Sequence, residues 1–216
     1  MPRKGNLRKA YKRADYPEQK DERRQLILRA AAEELAHAGS VQDFTIHALA
    51  RRAGLAKGTV YLYFKSKSAI LLELLGDAVE NLAAELVAKL AKLPEPVNAE
   101  QAARAIRDSL RNSAIKRRLA QLLKSLSDKD LGSSHQKYQK RVDPCMKQAD
   151  AMIVSRLHGL RAGEGLELIR YGWALLLGLS EIAEHHPKPG CVPLNVEQSL
   201  KESLTLLIEG FLARSR

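Results

Sequence analysis

Apolar residues recur at three- and four-residue intervals through most of the chain, and β-branched residues are sparse beside Ala, Leu, Glu, Lys and Arg. That pattern predicts an all-α protein. A first helix is expected from Asp21 to Ala38, with Ile27, Ala30, Ala31, Glu34 and Leu35 marking its turns and Gly39 ending it. Ile46, Leu49, Ala50 and Ala53 form the buried stripe of a short second helix, for which Asp43 or Thr45 can act as cap. Gly54 and Leu55 then turn the chain, and a third helix from about Ala56 places Val60 and Phe64 on one face. After the polar run Lys65 to Ser68, with Ser66 as a candidate cap, a long helix carries Ile70, Leu71, Leu74, Leu75, Val79, Leu82, Leu86 and Leu90. Pro94-Glu95-Pro96 stops it.

Further on, Asn98 and Gln101 read as a capping box for a helix across Ile106, Leu110 and Ile115. Another apolar pattern, Leu119, Leu122, Leu123 and Leu126, runs into the polar stretch Ser127 to Ser134, which reads as a break. A helix from about His135 to Leu160 follows, with Pro144 bending it or marking its start. Gly163-Glu164-Gly165 interrupts again, and two last helices cover about 165–185 and 195–213, the second capped by Asn195. The first of these two is apolar almost all round, through Tyr171, Trp173, Leu175, Leu176, Leu177 and Leu179. The second offers Val196, Leu200, Leu204, Leu207, Ile208 and Phe211 as one stripe. Two such helices from each of two protomers make a four-helix bundle, so a homodimer is expected through 165–185 and 195–213.

Charge sharpens the picture. Residues 1–67 hold 15 Lys/Arg against 7 Asp/Glu, whereas residues 68–216 hold 21 against 18. The positive excess thus falls on the amino-terminal third, where a polyanion would be gripped. Cys145 and Cys191 stand far apart in a chain that reads as having no signal peptide, which fits a reduced, cytoplasmic protein. No apolar run reaches the ~18 residues of a membrane span. Three divisions are expected: a basic arm over 1–20, a DNA-binding domain over 21–68, and a helical body over 69–216. The arm is either a free tail or a segment that follows the phosphates or enters the minor groove.

Two short helices joined by a tight glycine turn form a helix-turn-helix, whose second helix enters the major groove of DNA. The residues Ile27, Ala31, Leu35, Gly39, Phe44-Thr45-Ile46, Leu49-Ala50, Ala53-Gly54-Leu55, Lys57-Gly58-Thr59-Val60-Tyr61, Tyr63-Phe64, Lys67 and Ile70-Leu71 closely resemble the TetR family of bacterial transcriptional regulators. The resemblance implies a three-helix head, a ligand-binding helical body, a homodimer built by the last two helices, and release of the operator when an effector binds. One departure is Ala56, where that family often has a capping Ser.

Among the site residues, Thr45 would meet a phosphate at the start of the second helix while also capping it. Lys57 and Thr59 begin the recognition helix, Lys57 for phosphate or a guanine edge and Thr59 for phosphate or a thymine methyl. Gly58 lets the helix backbone approach closely. The resemblance points to the Tyr63 phenol on phosphate and to Tyr61 near a base or phosphate. Lys67 is expected on phosphate, with Arg51 and Arg52 as further backbone contacts. A double-stranded, palindromic operator is the expected partner, with half-sites about one helical turn apart or a multiple of it.

A small-molecule effector would lie among the helices of about 70–185, with Tyr138, Met152, His158 and Trp173 as candidate lining residues and Cys145 and Met146 beside them. Its identity is not written in the sequence. His185, His186 and Cys191 lack a fourth ligand and read as a solvated loop rather than a metal site. No cofactor, metal or membrane partner is expected. No glycine-rich phosphate loop or catalytic Ser/Cys-His set points to an enzyme. The competing readings are an activator of the same family and a cationic module that binds nucleic acid without sequence preference.

Overall fold

The computed structural model describes residues 17–37, 43–110, 128–185 and 194–214. Among the described residues there are eight α-helices and no strand: α1 (Pro17–His37), α2 (Ile46–Arg52), α3 (Lys57–Tyr63), α4 (Lys67–Ala91), α5 (Ala99–Leu110), α6 (Asp128–Arg156), α7 (Glu164–His185) and α8 (Val196–Ala213). The all-α class read from the periodicity is what the chain adopts. The chain divides into two compact units, Met1–Ile70 and Leu71–Arg216, and the division falls within α4.

The amino-terminal unit is built from α1, α2, α3 and the first turn of α4. Its core is Ile27, Ala31, Leu35, Phe44, Leu49, Val60, Phe64 and Ile70, all of them buried. α1 begins at Pro17, four residues before the expected start, so residues 17–20 are helix rather than arm. The physical reason is that proline suits the first helical position, where its missing N–H costs nothing, and Glu18 adds a favourable charge in the first turn. The preceding residues 1–16 of the expected arm and the stop at Gly39 lie outside the described residues.

Three local devices fix α2 and α3. Thr45 is the cap of α2, its Oγ1 accepting from the Ala48 N–H at 3.1 Å. At the other end Gly54 sits at φ 66, in the left-handed region that costs other residues most. There Gly54 N–H donates to the Arg51 carbonyl at 3.1 Å and Leu55 N–H to the Ala50 carbonyl at 2.8 Å. This is a Schellman closure, and its C-terminal apolar residue, Leu55, is buried as that motif requires. α3 starts without a side-chain cap at Ala56, while Ser66 Oγ accepts from the Ala69 N–H at 3.1 Å and caps α4.

The second unit has a single apolar core drawn from α4 to α8, including Leu86, Leu90, Ala102, Ile106, Leu110, Ile153, Leu157, Leu168, Leu204 and Ile208. α5 packs chiefly on α8, and α7 packs on α6, α5 and α8. The expected capping box is present: Asn98 and Gln101 exchange bonds of 3.0 and 2.9 Å. So is the Asn195 cap, which accepts from Gln198 N–H at 3.0 Å. α6 differs from its expected limits. It begins at Asp128 and ends at Arg156, with Pro144 inside it. Residues 128–134 were expected to break the chain, yet a polar composition does not stop a helix, and one glycine inside it, Gly132, costs only about 1 kcal/mol. The patterns at Ile115 and Leu119 to Leu126, and the loop holding His186 and Cys191, lie outside the described residues.

Two polar features tie helices together within this unit. Arg141 on α6 donates to Glu80 through Nε at 2.6 Å and to Glu73 through Nη1 at 3.2 Å, and its Nη2 also reaches Asp77. These three carboxylates share one face of α4, and the bonds to Glu80 above all push the guanidinium pKa further up. Gly76 leaves the room, since a Cβ there would stand 3.0 Å from Arg141 Nη1. Asp150 on α6 caps α7 from outside, its carboxylate accepting from Gly163 N–H at 2.9 Å and Leu166 N–H at 3.0 Å. Gly165 is thereby explained as a close approach, because its Cβ would fall 2.7 Å from Asp150 Oδ1.

Candidate nucleic-acid interface

α3 is held by Val60, which is fully buried, and by Phe64 just beyond its end. At about 100° per residue, burying Val60 turns Gly58 and Leu62 outward and leaves Tyr61 at the side; all three are exposed, as is Lys57 in the first turn. Thr59 and Tyr63 lie at the edges of the buried side and are half-buried. Of the sequence-selected residues of this helix, Gly58 faces outward and Lys57, Tyr61, Thr59 and Tyr63 flank that face on its two sides. Lys57 Nζ stands 6.0 Å from the centre of the Tyr61 ring, one turn along, so cation and ring are presented side by side.

Phe64 is clamped from the other side by Arg24 of α1, whose guanidinium lies 4.5 Å from the ring centre. This contact fixes the end of α3 against α1. It was not legible beforehand, because the two residues are forty positions apart in the chain and nothing local links them. Thr45 is exposed at the start of α2, so its hydroxyl sits beside backbone N–H groups at a positive helix end.

The flanking cations divide into two kinds. Arg51 and Lys57 are exposed. Arg52 is engaged within the unit, its Nε donating to Glu34 at 2.6 Å with Glu33 3.8 Å from Nη1. Arg52 thus joins α2 to α1, and a DNA contact would have to compete with that pair. Lys67 lies 5.4 Å over the Phe44 ring, and partial burial lowers its pKa from the ordinary lysine value. Half-buried Glu34 is the signal that would have exposed the role of Arg52, since a carboxylate on the apolar face of α1 needs a partner.

Residues 27–74 match the family model described as bacterial regulatory proteins, tetR family. The head is thus similar to the DNA-binding segment of that family. Over 77 residues it is 39% identical to the HTH-type transcriptional regulator EthR of Mycobacterium tuberculosis, a match covering 36% of this chain and 35% of that protein. The chain thus spans about a third of the length of the curated relative it matches. Solved structures extend the likeness beyond the TetR-family head. A TetR-family regulator described as putative from Mesorhizobium loti superposes with TM-score 0.59 at 18% identity, over 90% of this chain and 96% of that one. FadR of Bacillus subtilis, solved with stearoyl-CoA, gives TM-score 0.60 at 18% identity over 85% and 96%. At such identities the shared property is the fold.

Of the candidate effector residues in the second unit, Met152 and Trp173 pack against one core, and Tyr138 stands apart from Met152. Tyr138 and Met152 both lie on α6, separated by about 21 Å of helical rise. Tyr138 is half-buried and stacks on His135 at 6.3 Å between ring centres, and burial raises its pKa. Met152, Trp173, Cys145 and Met146 are partly buried against the apolar core. His158 is exposed in the turn after α6, because the helix ends at Arg156 instead of reaching Leu160. Among the described residues no group of three or more His, Cys, Asp or Glu side chains could hold a metal, and no helix is long and apolar enough to cross a membrane.

Proposed function

We propose that this protein is a sequence-specific DNA-binding transcriptional regulator that acts as a homodimeric repressor and leaves its operator when a small molecule occupies the helical body. The observation that carries the reading is the exposed side of α3, a cation, one aromatic ring and a side-chain-free position left outside by a fully buried Val60. Such a face inserts into a major groove, with Lys57, Tyr61 and Thr59 at the base edges and Thr45, Arg51, Tyr63 and Lys67 on phosphates. The TetR-family head and the relationship to EthR support the same assignment.

Dimerisation is supported by the outer faces of α7 and α8. Tyr171, Leu175, Gly178 and Ile182 recur at helical spacing along α7, and Tyr171 and Ile182 are 46% and 49% exposed. On α8, Leu206 is 69% exposed and is followed one turn later by Gly210, which has nothing within 4 Å of where a Cβ would stand. Apolar and small residues left in water on two neighbouring helices fit a second copy of the chain. The complex of FadR with stearoyl-CoA makes a small-molecule effector a reasonable expectation for the shared fold. The candidate effector contacts are Tyr138, Met152, His158 and Trp173, of which Met152 and Trp173 pack against one core.

Selection of bound duplexes from a random pool tests the reading. A palindromic consensus whose affinity exceeds that of scrambled duplex supports it, and equal binding of every polyanion reduces the protein to a cationic coat. A reporter placed behind the selected operator separates repression from activation.

A further inference from the structure

Taking α3 as the recognition helix, the residue at the centre of its outward arc is not among those chosen from the sequence. At about 100° per residue, the direction opposite Val60 falls between Gly58 and Leu62, one turn apart. Leu62 is 79% exposed, more than any other large apolar side chain described. Gly58 has no heavy atom within 4 Å of an added Cβ. The middle of the arc is therefore a low apolar ridge, with Lys57 and Tyr61 on one side and Thr59 and Tyr63 on the other.

A leucine in that place contributes nothing to the core, which Val60 and Phe64 already fill, and it can neither donate nor accept a hydrogen bond. Its surroundings are cationic: residues 43–70 carry Arg51, Arg52, Lys57, Lys65 and Lys67 against Asp43 alone. In the major groove the apolar group on a base edge is the C5 methyl of thymine. We propose that Leu62 is a specificity-determining residue that packs on a thymine methyl, with Gly58 allowing the backbone close enough for the contact. This rests on the DNA-binding reading above and adds a base identity to it. It also moves methyl recognition from half-buried Thr59 to Leu62.

The test uses the full chain and a duplex that it selects from a random pool. Each thymine is replaced in turn by deoxyuridine, which removes only the methyl group, and affinity is measured by fluorescence anisotropy for the wild type, Leu62→Ala and Leu62→Met. Removing one buried methyl corresponds to a loss of about fourfold in affinity. The expected result is that loss at one symmetry-related pair of thymines for the wild type and Leu62→Met, and none there for Leu62→Ala, which still prefers the selected duplex to scrambled competitor. Leu62 is exposed, so both variants should fold as the wild type does, and Leu62→Met keeps the apolar contact as a control. The inference is overturned if Leu62→Ala retains the wild-type methyl dependence, if no thymine responds, or if the consensus holds no fixed thymine. It is also overturned if Leu62→Ala changes only the oligomeric state, which would assign the ridge to a second copy. Failure to discriminate selected from scrambled duplex defeats the DNA-binding reading itself, and is thereby distinct.

Discussion

Side chains at the proposed interface fall into those that hold the protein on the duplex and those that read it. Tyr63 is half-buried at the edge of α3, and the proposal gives its phenol a phosphate contact. Tyr63→Phe removes that hydroxyl alone. It should weaken binding to all duplexes alike, by about 1 kcal/mol, leaving the selected consensus unchanged. Lys57→Ala is expected to lower affinity and, where Lys57 meets phosphate, to reduce the slope of log affinity against log salt by about one. Titrations at several salt concentrations check both. Thr45 has two tasks, and Thr45→Ala should cost the unit about 1 kcal/mol through loss of the cap alone, seen as a lower melting temperature without DNA. At this scale the sequence was legible wherever a residue acts on its immediate neighbours. The Thr45 cap and the burial of Val60 and Phe64 follow from spacing. Leu62 was passed over although the same spacing turns it away from Val60, because an apolar side chain offers no hydrogen bond to suggest a contact. The pairing of Arg52 was not legible, since its partner Glu34 lies on another helix.

Helix limits follow from stop and start signals, and where these are strong the sequence reveals them. Gly54 is one. Its left-handed φ of 66 and the Schellman bonds around it fix the angle at which α3 leaves α2. Gly54→Ala should destabilise the head by roughly 1–2 kcal/mol and weaken duplex binding by disturbing α3. Circular dichroism melts alongside anisotropy would separate the two effects. The Asp150 cap on α7 is the counterpart in the second unit. Asp150→Ala leaves the Gly163 and Leu166 N–H groups without their acceptor and should cost about 1 kcal/mol. Neither α7's dependence on Asp150 nor the reason for Gly165 could be read in advance, because the contact spans two helices and a turn. The Asn98–Gln101 box, whose partners sit three residues apart, was plain. α6 shows the remaining limit: a polar segment looks like a loop when its burial is unknown, yet helical hydrogen bonding continues through it.

For the molecule as a whole, the all-α class comes from periodicity, whereas the organisation into a head and a helical body was implied by the family resemblance. Exposed apolar faces are different in kind. The stripe on α8 was visible, but which leucines face inward and which outward depends on packing against α5 and α7. Leu204 and Ile208 are buried, whereas Leu206 is left outside. A homodimer through these faces predicts that Ile182→Glu combined with Leu206→Glu yields a folded monomer by analytical ultracentrifugation. That monomer should bind a single half-site weakly and lose affinity for the full palindrome. The central claim, that α3 reads a DNA sequence, is tested most directly by competition binding of the full chain in moderate salt. The account predicts that a duplex selected from a random pool resists displacement by a scrambled duplex of the same composition, and that substituting the outward face of α3 abolishes this preference while the fold persists. Equal displacement by selected and scrambled duplexes would contradict it.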